Sequence, residues 1–398
     1  MLHYGDITKI DGDKVPSVDI IVGGSPCQDL STAGRREGLG GARSGLFMEQ
    51  IRVIKEMRNE STKQLRSRGA IIDIRHIQPR YMVWENVCGA LSSNKGEDFR
   101  SVLEQTARVA DKKASIPRFE GGWRNAGCIL GDGWSIAWRV HDSQFWGVPQ
   151  RRKRVALVAD FGGATAPEIL FERKGLSGDL EESGQTRESV TRTIKGGANP
   201  TSYTLKIRGG AAIDSKGKKA GKGALIQTEL SGTLSTTQDQ TLIRFNSTPI
   251  YTIGHDLRSS KFTEDEKTDP LSATDYKDPI KLNIGSEVRR LTPLECERLQ
   301  GYPDGWTDIG DWVDGNGKRH KDADSPRYKA LGNSIALPFW EWMAKRIAGK
   351  IDHKATMASL FDGIGGFPLV FSRCGVTPVW ASEIEDFPIA VTKVRFPD

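Results

Sequence analysis

The 398-residue sequence is poor in cysteine and has none in pairs: Cys27, Cys88, Cys128, Cys296 and Cys374 form an odd, scattered set without any C-x-x-C spacing. That excludes a disulfide framework and a cysteine zinc cluster, so no metal is expected and a reducing cytoplasm is the expected setting. No apolar run approaches the roughly 18 residues that a membrane-spanning helix needs. The opening MLHYGDITKIDGDK lacks the apolar core of a secretion signal. Neither export nor contact with a membrane is expected. Charge of one sign is scarce as well: 57 basic against 51 acidic residues leave +6, which permits a polyanionic partner without requiring one. A full G-x-G-x-x-G dinucleotide signature is also missing, which counts against a nicotinamide-dependent oxidoreductase.

What is present suits a folded chain. Hydrophobic residues make up 37% and charged residues 27%, too apolar for disorder. Single cores stop growing at about 250 to 300 residues, so a large domain and a smaller one are expected. Residues 18–24 (VDIIVGG) read as a buried strand closed by two glycines, 46–58 (LFMEQIRVIKEMR) as an amphipathic helix, and 81–84 (YMVW) as a strand running into Glu85 and Asn86. Segments 134–148 and 154–161 are strand-like, and strands alternating with helices point to an α/β domain whose mostly parallel sheet is covered on both faces. From 162 to 285 the texture changes to glycine, serine, threonine and lysine, with short apolar patches at 224–226, 241–245 and 249–253. This is a smaller, loop-rich, β-containing domain or a disordered insert. Helical texture returns at 293–300 and 337–348, and 349–356 (GKIDHKAT) reads as a linker.

Three groups of residues could carry chemistry. Near the C-terminus, ASLFDGIGGF turns from a strand through Asp362, Gly363, Gly365 and Gly366 into a helix, where glycines let main chain approach a ligand. Glu383, 17 residues past Gly366, closes the next strand-like run, where a carboxylate can bind ribose hydroxyls. Read alone, such a turn can be only a tight turn. Cys27 stands in GSPCQDLS just past the first strand, ahead of a loop rich in glycine with Arg35, Arg36 and Arg43. A lone cysteine is more often a packing residue, but a mobile basic loop beside a thiol suits a polyanion. Glu85 and the cluster Gln150, Arg151, Arg152, Lys153 and Arg154 complete the set; singly, they are ordinary surface charges.

Together these segments resemble the DNA cytosine-5 methyltransferase family over about two thirds of the chain. GSPCQ resembles the family's Pro-Cys nucleophile motif, WENV its Glu-Asn-Val motif and QRRKR its Gln-x-Arg-x-Arg motif. RLTPLECERLQGYPD (290–304) and GNS (332–334) resemble its last two motifs, and SLFDGIGGF its cofactor-binding motif. The order departs from the family: the cofactor motif comes last, so the chain looks circularly permuted. Joining Asp398 to Met1 would restore the usual order. The resemblance implies a Rossmann-like methyltransferase fold with a mixed sheet and helices on both faces. Its expected organisation is 1–161 and 286–348 as the methyltransferase domain, 162–285 as a target-recognition domain, 349–356 as a linker, and 357–398 as the displaced cofactor segment.

The resemblance further implies methyl transfer from S-adenosylmethionine to carbon 5 of a cytosine flipped from double-stranded DNA, through a covalent bond to Cys27. Arg152 and Arg154 would lower the thiol's pKa and hold the base's carbonyl, and Glu85, at least partly protonated, would bond its ring nitrogen and amine. Phe361, Asp362, Gly363, Ile364, Gly365 and Gly366 would surround the methionine end of the cofactor and Glu383 its ribose. Ile384 and Ile7 would lie against the adenine and Asp6 on its amine, with Pro26, Leu46, Asn333 and Ser334 as further contacts. Gln28, Ser31, Arg35, Arg36 and Arg43 would meet the DNA. A monomer, encoded by a prokaryote or a phage and paired in function with a restriction endonuclease, is expected. An RNA methyltransferase and a catalytically dead DNA-binding protein are the rival readings.

Overall fold

A computed structural model describes residues 1–25, 45–69, 72–118, 121–171 and 291–397, with the main chain of four short strands between 202 and 290. In chain order the large domain begins with β1 (Leu2–His3), β2 (Ile20–Gly23), α1 (Leu46–Ser67), β3 (Tyr81–Val87) and α2 (Glu97–Ala110). It continues with β4 (Ala126–Gly131), β5 (Trp134–Asp142), β6 (Lys153–Asp160) and α3 (Ala166–Leu170). The strands β7 (Ser202–Lys206), β8 (Leu225–Thr228), β9 (Gln240–Phe245) and β10 (Ser286–Arg290) follow. Then come α4 (Pro293–Gln300), β11 (Trp312–Val313), β12 (Arg319–His320), α5 (Asp324–Asn333) and α6 (Leu337–Ala348). The chain closes with β13 (Thr356–Leu360), α7 (Gly366–Arg373), β14 (Thr377–Ser382) and α8 (Asp386–Arg395).

Local chemistry explains the better-defined ends. Helix α4 starts on a capping box, in which the Thr292 hydroxyl accepts from the Glu295 N–H while the Glu295 carboxylate accepts from the Thr292 N–H, and it stops at Gly301 with φ of 80°. Helix α1 buries Phe47, Ile51, Ile54 and Met57, a stripe at helical spacing, and also Arg58, whose guanidinium donates to the Ile77 and Pro79 carbonyls. Strand β2 is buried on both faces. Ile20 and Val22 enter one apolar cluster and Ile21 the other, which is why its sequence is a continuous apolar run rather than an alternating one. Each fully buried side chain of this size contributes about 1.5–3 kcal/mol.

Eight strands form one sheet in the order β1-β14-β13-β2-β3-β6-β5-β4. The first five are parallel, and β6, β5 and β4 are joined to them antiparallel. The 134–148 and 154–161 segments therefore add an antiparallel hairpin to the parallel sheet rather than another strand–helix–strand unit. The last residues of the chain lie inside the sheet: β13 sits between β14 and β2, with Met357 opposite Ile20 and Ala358 opposite Trp380. Strand β1 pairs with β14, and the Met1 amine donates to the Phe396 carbonyl at 3.3 Å, so the two ends of the chain are neighbours.

The core extends past residue 161, because Ala166, Ile169 and Leu170 of α3 are fully buried in the first cluster. Strands β8, β7, β9 and β10 make a separate antiparallel sheet, and β10 belongs to it although the sequence texture changes back at 286. No helix among the described residues is long and apolar enough to cross a membrane.

Candidate active site

From β13 the chain crosses over to β14, whereas from β2 it crosses to β3. The two crossovers diverge, which opens a crevice at the carboxyl ends of β13 and β2, the place where open α/β sheets bind ligands. The motifs meet along this edge: Gly24 and Ser25 follow β2, Glu85 lies near the end of β3, Phe361 to Gly365 follow β13, Glu383 follows β14, and Gly5 to Ile7 follow β1.

On the β2 and β3 side, the Arg154 Nε lies 2.8 Å from Glu85 Oε1, in a pair whose side chains are only 15% and 13% exposed. Registry creates this pair. Glu85 stands opposite Ala156 and Val87 opposite Arg154, so both side chains leave the same face of neighbouring strands. Gly24 permits their approach to β2, since a Cβ there would lie 3.2 Å from Glu85 Oε2. Arg152 is buried, and its guanidinium donates to the Ser334 carbonyl at the end of α5. Cys27 lies outside the described residues, as do Pro26, Gln28, Ser31, Arg35, Arg36 and Arg43. Their stem is firmly held: Trp84 Nε1 donates to Ser25 Oγ at 3.0 Å, and Asn86 Nδ2 to the Ser25 carbonyl at 3.4 Å. The anchoring of residue 25 by the W and N of WENV is not legible in the motif itself.

On the β13 and β14 side, Phe361, Gly363 and Gly365 have φ of 56°, 57° and 78°. Such a conformation costs a residue with a side chain roughly 1–2 kcal/mol, and outliers of this kind gather at ligand sites. Gly365 is also confined, since a Cβ would lie 2.8 Å from the Phe396 ring. Glu383 folds back on the loop: its Oε2 accepts from the Gly363 N–H at 2.7 Å, and its Oε1 from Ile384 and Glu385 at 2.7 and 2.9 Å. Asp362 is buried with neither carboxylate oxygen hydrogen-bonded. Burial, reinforced by the charge of Glu383, pushes its pKa up to about 8, and the neighbouring Ser359 hydroxyl opposes this without a well-formed hydrogen bond.

The remaining candidates divide. Ser334 is buried and Asn333 exposed, while Leu46, the first residue of α1, is half-buried. Ile7 is buried, whereas Ile384 is 70% exposed and offers an apolar surface beside Glu383. Asp6 caps a short turn, accepting from the Thr8 N–H at 3.0 Å and its hydroxyl at 2.9 Å, bonds that hold its pKa below the ordinary value. Behind the arginines, His141 is paired across β5 and β6 with Arg154 and stacks on Phe339 at 3.7 Å. Burial and the charges of Arg154, Arg139 and Arg152 hold His141 well below its ordinary pKa, and neither ring nitrogen is hydrogen-bonded. Among the described residues no cluster of three or more His, Cys, Asp or Glu is placed to hold a metal.

The family model for C-5 cytosine-specific DNA methylases matches residues 1–109 and 130–349. The chain belongs to this family. The glycine loop after β13 falls outside the match, beyond residue 349. The chain is also 30% identical over 435 residues to a protein of Escherichia phage P1 described as a DNA N-6-adenine-methyltransferase, covering 87% of this chain and 55% of that protein. It is 26% identical to the Type II methyltransferase M1.ScrFI of Lactococcus lactis subsp. cremoris over 86% of this chain and 66% of the relative. Identity to M.SsoII of Shigella sonnei is also 26%, over 87% and 68%. The chain thus spans roughly half to two thirds of these relatives' length. Among solved structures, the S. pombe Dnmt2 methyltransferase is similar at 12% identity and a TM-score of 0.38, over 88% of this chain and 85% of that one. A putative DNA modification methyltransferase from an E. coli prophage is similar at 14% and the same TM-score, over 86% and 84%. Both likenesses are too weak to add to the assignment.

Proposed function

We propose that this methylase-family protein is a DNA (cytosine-5)-methyltransferase, using S-adenosylmethionine and the thiolate of Cys27 on a cytosine flipped out of a specific duplex sequence. The observation that carries the reading is the meeting, at one edge of one sheet, of the Glu85–Arg154 pair, the Arg152-to-Ser334 bond and the glycine loop with its orphaned carboxylate.

The residues around the β13 loop fit the cofactor. Asp362, buried without a partner, offers an acceptor that an ammonium group would satisfy. Glu383 keeps spare acceptor capacity for a ribose hydroxyl, and Ile384 has exposed apolar surface for a base. When bound, S-adenosylmethionine supplies an electrophilic methyl group.

Cytosine carbon 5 is a poor nucleophile, and the protein's own groups correct this. The Cys27 thiolate forms a bond to carbon 6, pushing electron density onto carbon 5 and the ring nitrogen. A proton shared by Glu85 stabilises that nitrogen, and Arg154, which holds Glu85 in place, is positioned to meet the base's carbonyl oxygen. After carbon 5 has gained its methyl group, it loses its proton to water, and the carbon 6–sulfur bond breaks to release Cys27. Flipping costs a few kcal/mol. Arg35, Arg36 and Arg43 would bind phosphates and the 162–285 region would read bases. We further propose a soluble monomer that acts in a bacterial or phage cytoplasm alongside a restriction endonuclease.

The position of β13 between β14 and β2, and the contact of Met1 with Phe396, support a motif order that is permuted relative to the family. Fusing Asp398 to Met1 and opening the chain within 350–354 should give a protein that folds and methylates with the conventional order; failure to fold would count against permutation.

DNA containing 5-fluorocytosine tests the chemistry. Fluorine blocks loss of the carbon 5 proton, so the protein should remain covalently attached in denaturing gels, and only when S-adenosylmethionine is present. Cys27→Ser should abolish attachment. Methyl transfer to transfer RNA alone would favour the RNA reading, and DNA binding without any transfer would favour a dead relative.

A further inference from the structure

The segment after α4, Gly301 to Thr307, touches the cofactor loop twice. Trp306 Nε1 donates to the Ile364 carbonyl at 2.8 Å, and Arg395 in turn holds Trp306 through its carbonyl at 2.9 Å. Tyr302 is buried with its hydroxyl against the main chain of Gly366, where even a Cβ would overlap it. That hydroxyl is hydrogen-bonded to Ser334 Oγ, and the carbonyl of the same Ser334 accepts from Arg152. A continuous buried path therefore runs from the start of α7, through Tyr302 and Ser334, to Arg152, two residues before the Arg154 that pairs with Glu85.

Burial raises the pKa of Tyr302, the charge of Asp362 adds to this, and the Arg152 guanidinium opposes it. The phenol stays protonated and can donate or accept toward Ser334. Ser334 is itself buried, so losing the link leaves a buried hydroxyl without its partner.

Resting on the methyltransferase reading, we infer that Tyr302 is a positioning residue that couples cofactor seating to the holding of the flipped base, through Ser334 and Arg152. Seating a ligand on the 361–366 loop fixes Gly366 and Tyr302, hence Ser334, hence Arg152. By reciprocity, a base held near Arg152 tightens the loop on its ligand by the same factor.

The experiment measures the affinity of the full chain for a duplex from methylated DNA, with and without saturating S-adenosylhomocysteine. The ratio of the two affinities is the coupling factor. For the wild type a factor of at least about five is expected. In Tyr302→Phe, which keeps the ring, the factor should fall to near one, KM for S-adenosylmethionine should rise several-fold, and affinity for DNA alone should stay unchanged. Ser334→Ala should likewise bring the coupling factor to near one, and the double variant should lose no more coupling than either single one, since both remove one link. Thermal melting monitors folding, and the double-variant comparison among folded proteins holds if a single variant is weakened. A coupling factor preserved in Tyr302→Phe, additive losses in the double variant, or no coupling in the wild type overturns the inference. A wild type that neither binds S-adenosylhomocysteine nor methylates DNA sinks the underlying reading instead.

Discussion

The two ends of the parallel strands differ in how completely their buried polar groups are satisfied. At the amino end of the parallel strands two buried carboxylates, Asp160 and Asp19, are fully satisfied. Asp160 accepts both Nε and Nη2 of Arg80 at 3.0 Å, with further bonds from Gly162 and Thr165, and its pKa stays below the ordinary value despite burial. Asp19 gathers Gln78, His353 and Thr356 in the same way, tying β13 to β2 where the linker enters. At the carboxyl end, Asp362, His141 and Gln150 keep buried polar atoms without hydrogen bonds. Unpartnered groups in a dry interior cost about 1–3 kcal/mol each, so a fold retains them where a ligand completes them. On the proposed reading, one end holds the molecule together and the other leaves room for a ligand.

The sharpest way to break this contrast is to remove a satisfied group. Asp160→Ala leaves Arg80 half-buried and uncompensated and should cost about 3–5 kcal/mol in chemical denaturation, while the remaining folded protein keeps its kcat. A matching loss of kcat would blur the two ends. The converse is Glu85→Gln, an isosteric change at the carboxyl end. It should lower kcat by about 10²–10³, roughly 2.7–4 kcal/mol of transition-state stabilisation, while costing less stability than Asp160→Ala, since Gln keeps the shape and a hydrogen-bonding oxygen beside the buried Arg154.

Asp362 gives a smaller, pH-dependent test. Its folded pKa of about 8 lies above the unfolded value near 3.8, so the folded protein binds the extra proton. The contribution of this group to stability therefore falls as pH rises from about 4 to about 8. A cationic ligand should reverse the preference and expel the proton. Calorimetric binding of S-adenosylhomocysteine at pH 7, in two buffers of different ionisation enthalpy, should show release of about one proton, and Asp362→Asn should abolish it and weaken binding by roughly tenfold or more. Identical heats in both buffers would show that Asp362 does not meet the ligand's charge.

How much was legible in the sequence follows the same division. Helices α4 and α6 occupy the stretches read for them, because a capping threonine, a proline in the first turn and apolar spacing are local signals. That 357–398 joins the sheet of the large domain was expected only through the resemblance, and its place beside β2 is set by pairing. The antiparallel joining of β6 to β3 was not legible, since no tight-turn signature links β5 to β6 and the direction is set by pairing across the sheet. The candidate residues were found through motifs, but their partners were not. The pairing of Glu85 with Arg154, the reach of Arg152 to Ser334 and the link from Tyr302 to Gly366 depend on registry and close packing between segments far apart in sequence.

The central claim concerns which atom of DNA is methylated, and the phage relative described as an adenine methyltransferase makes the choice sharp. Genomic DNA from a methylation-deficient host expressing the chain can be digested to nucleosides and measured by mass spectrometry. The account predicts 5-methylcytosine, present with the intact chain and lost with Cys27→Ser. N6-methyladenine without 5-methylcytosine, or 5-methylcytosine that persists in Cys27→Ser, would contradict it.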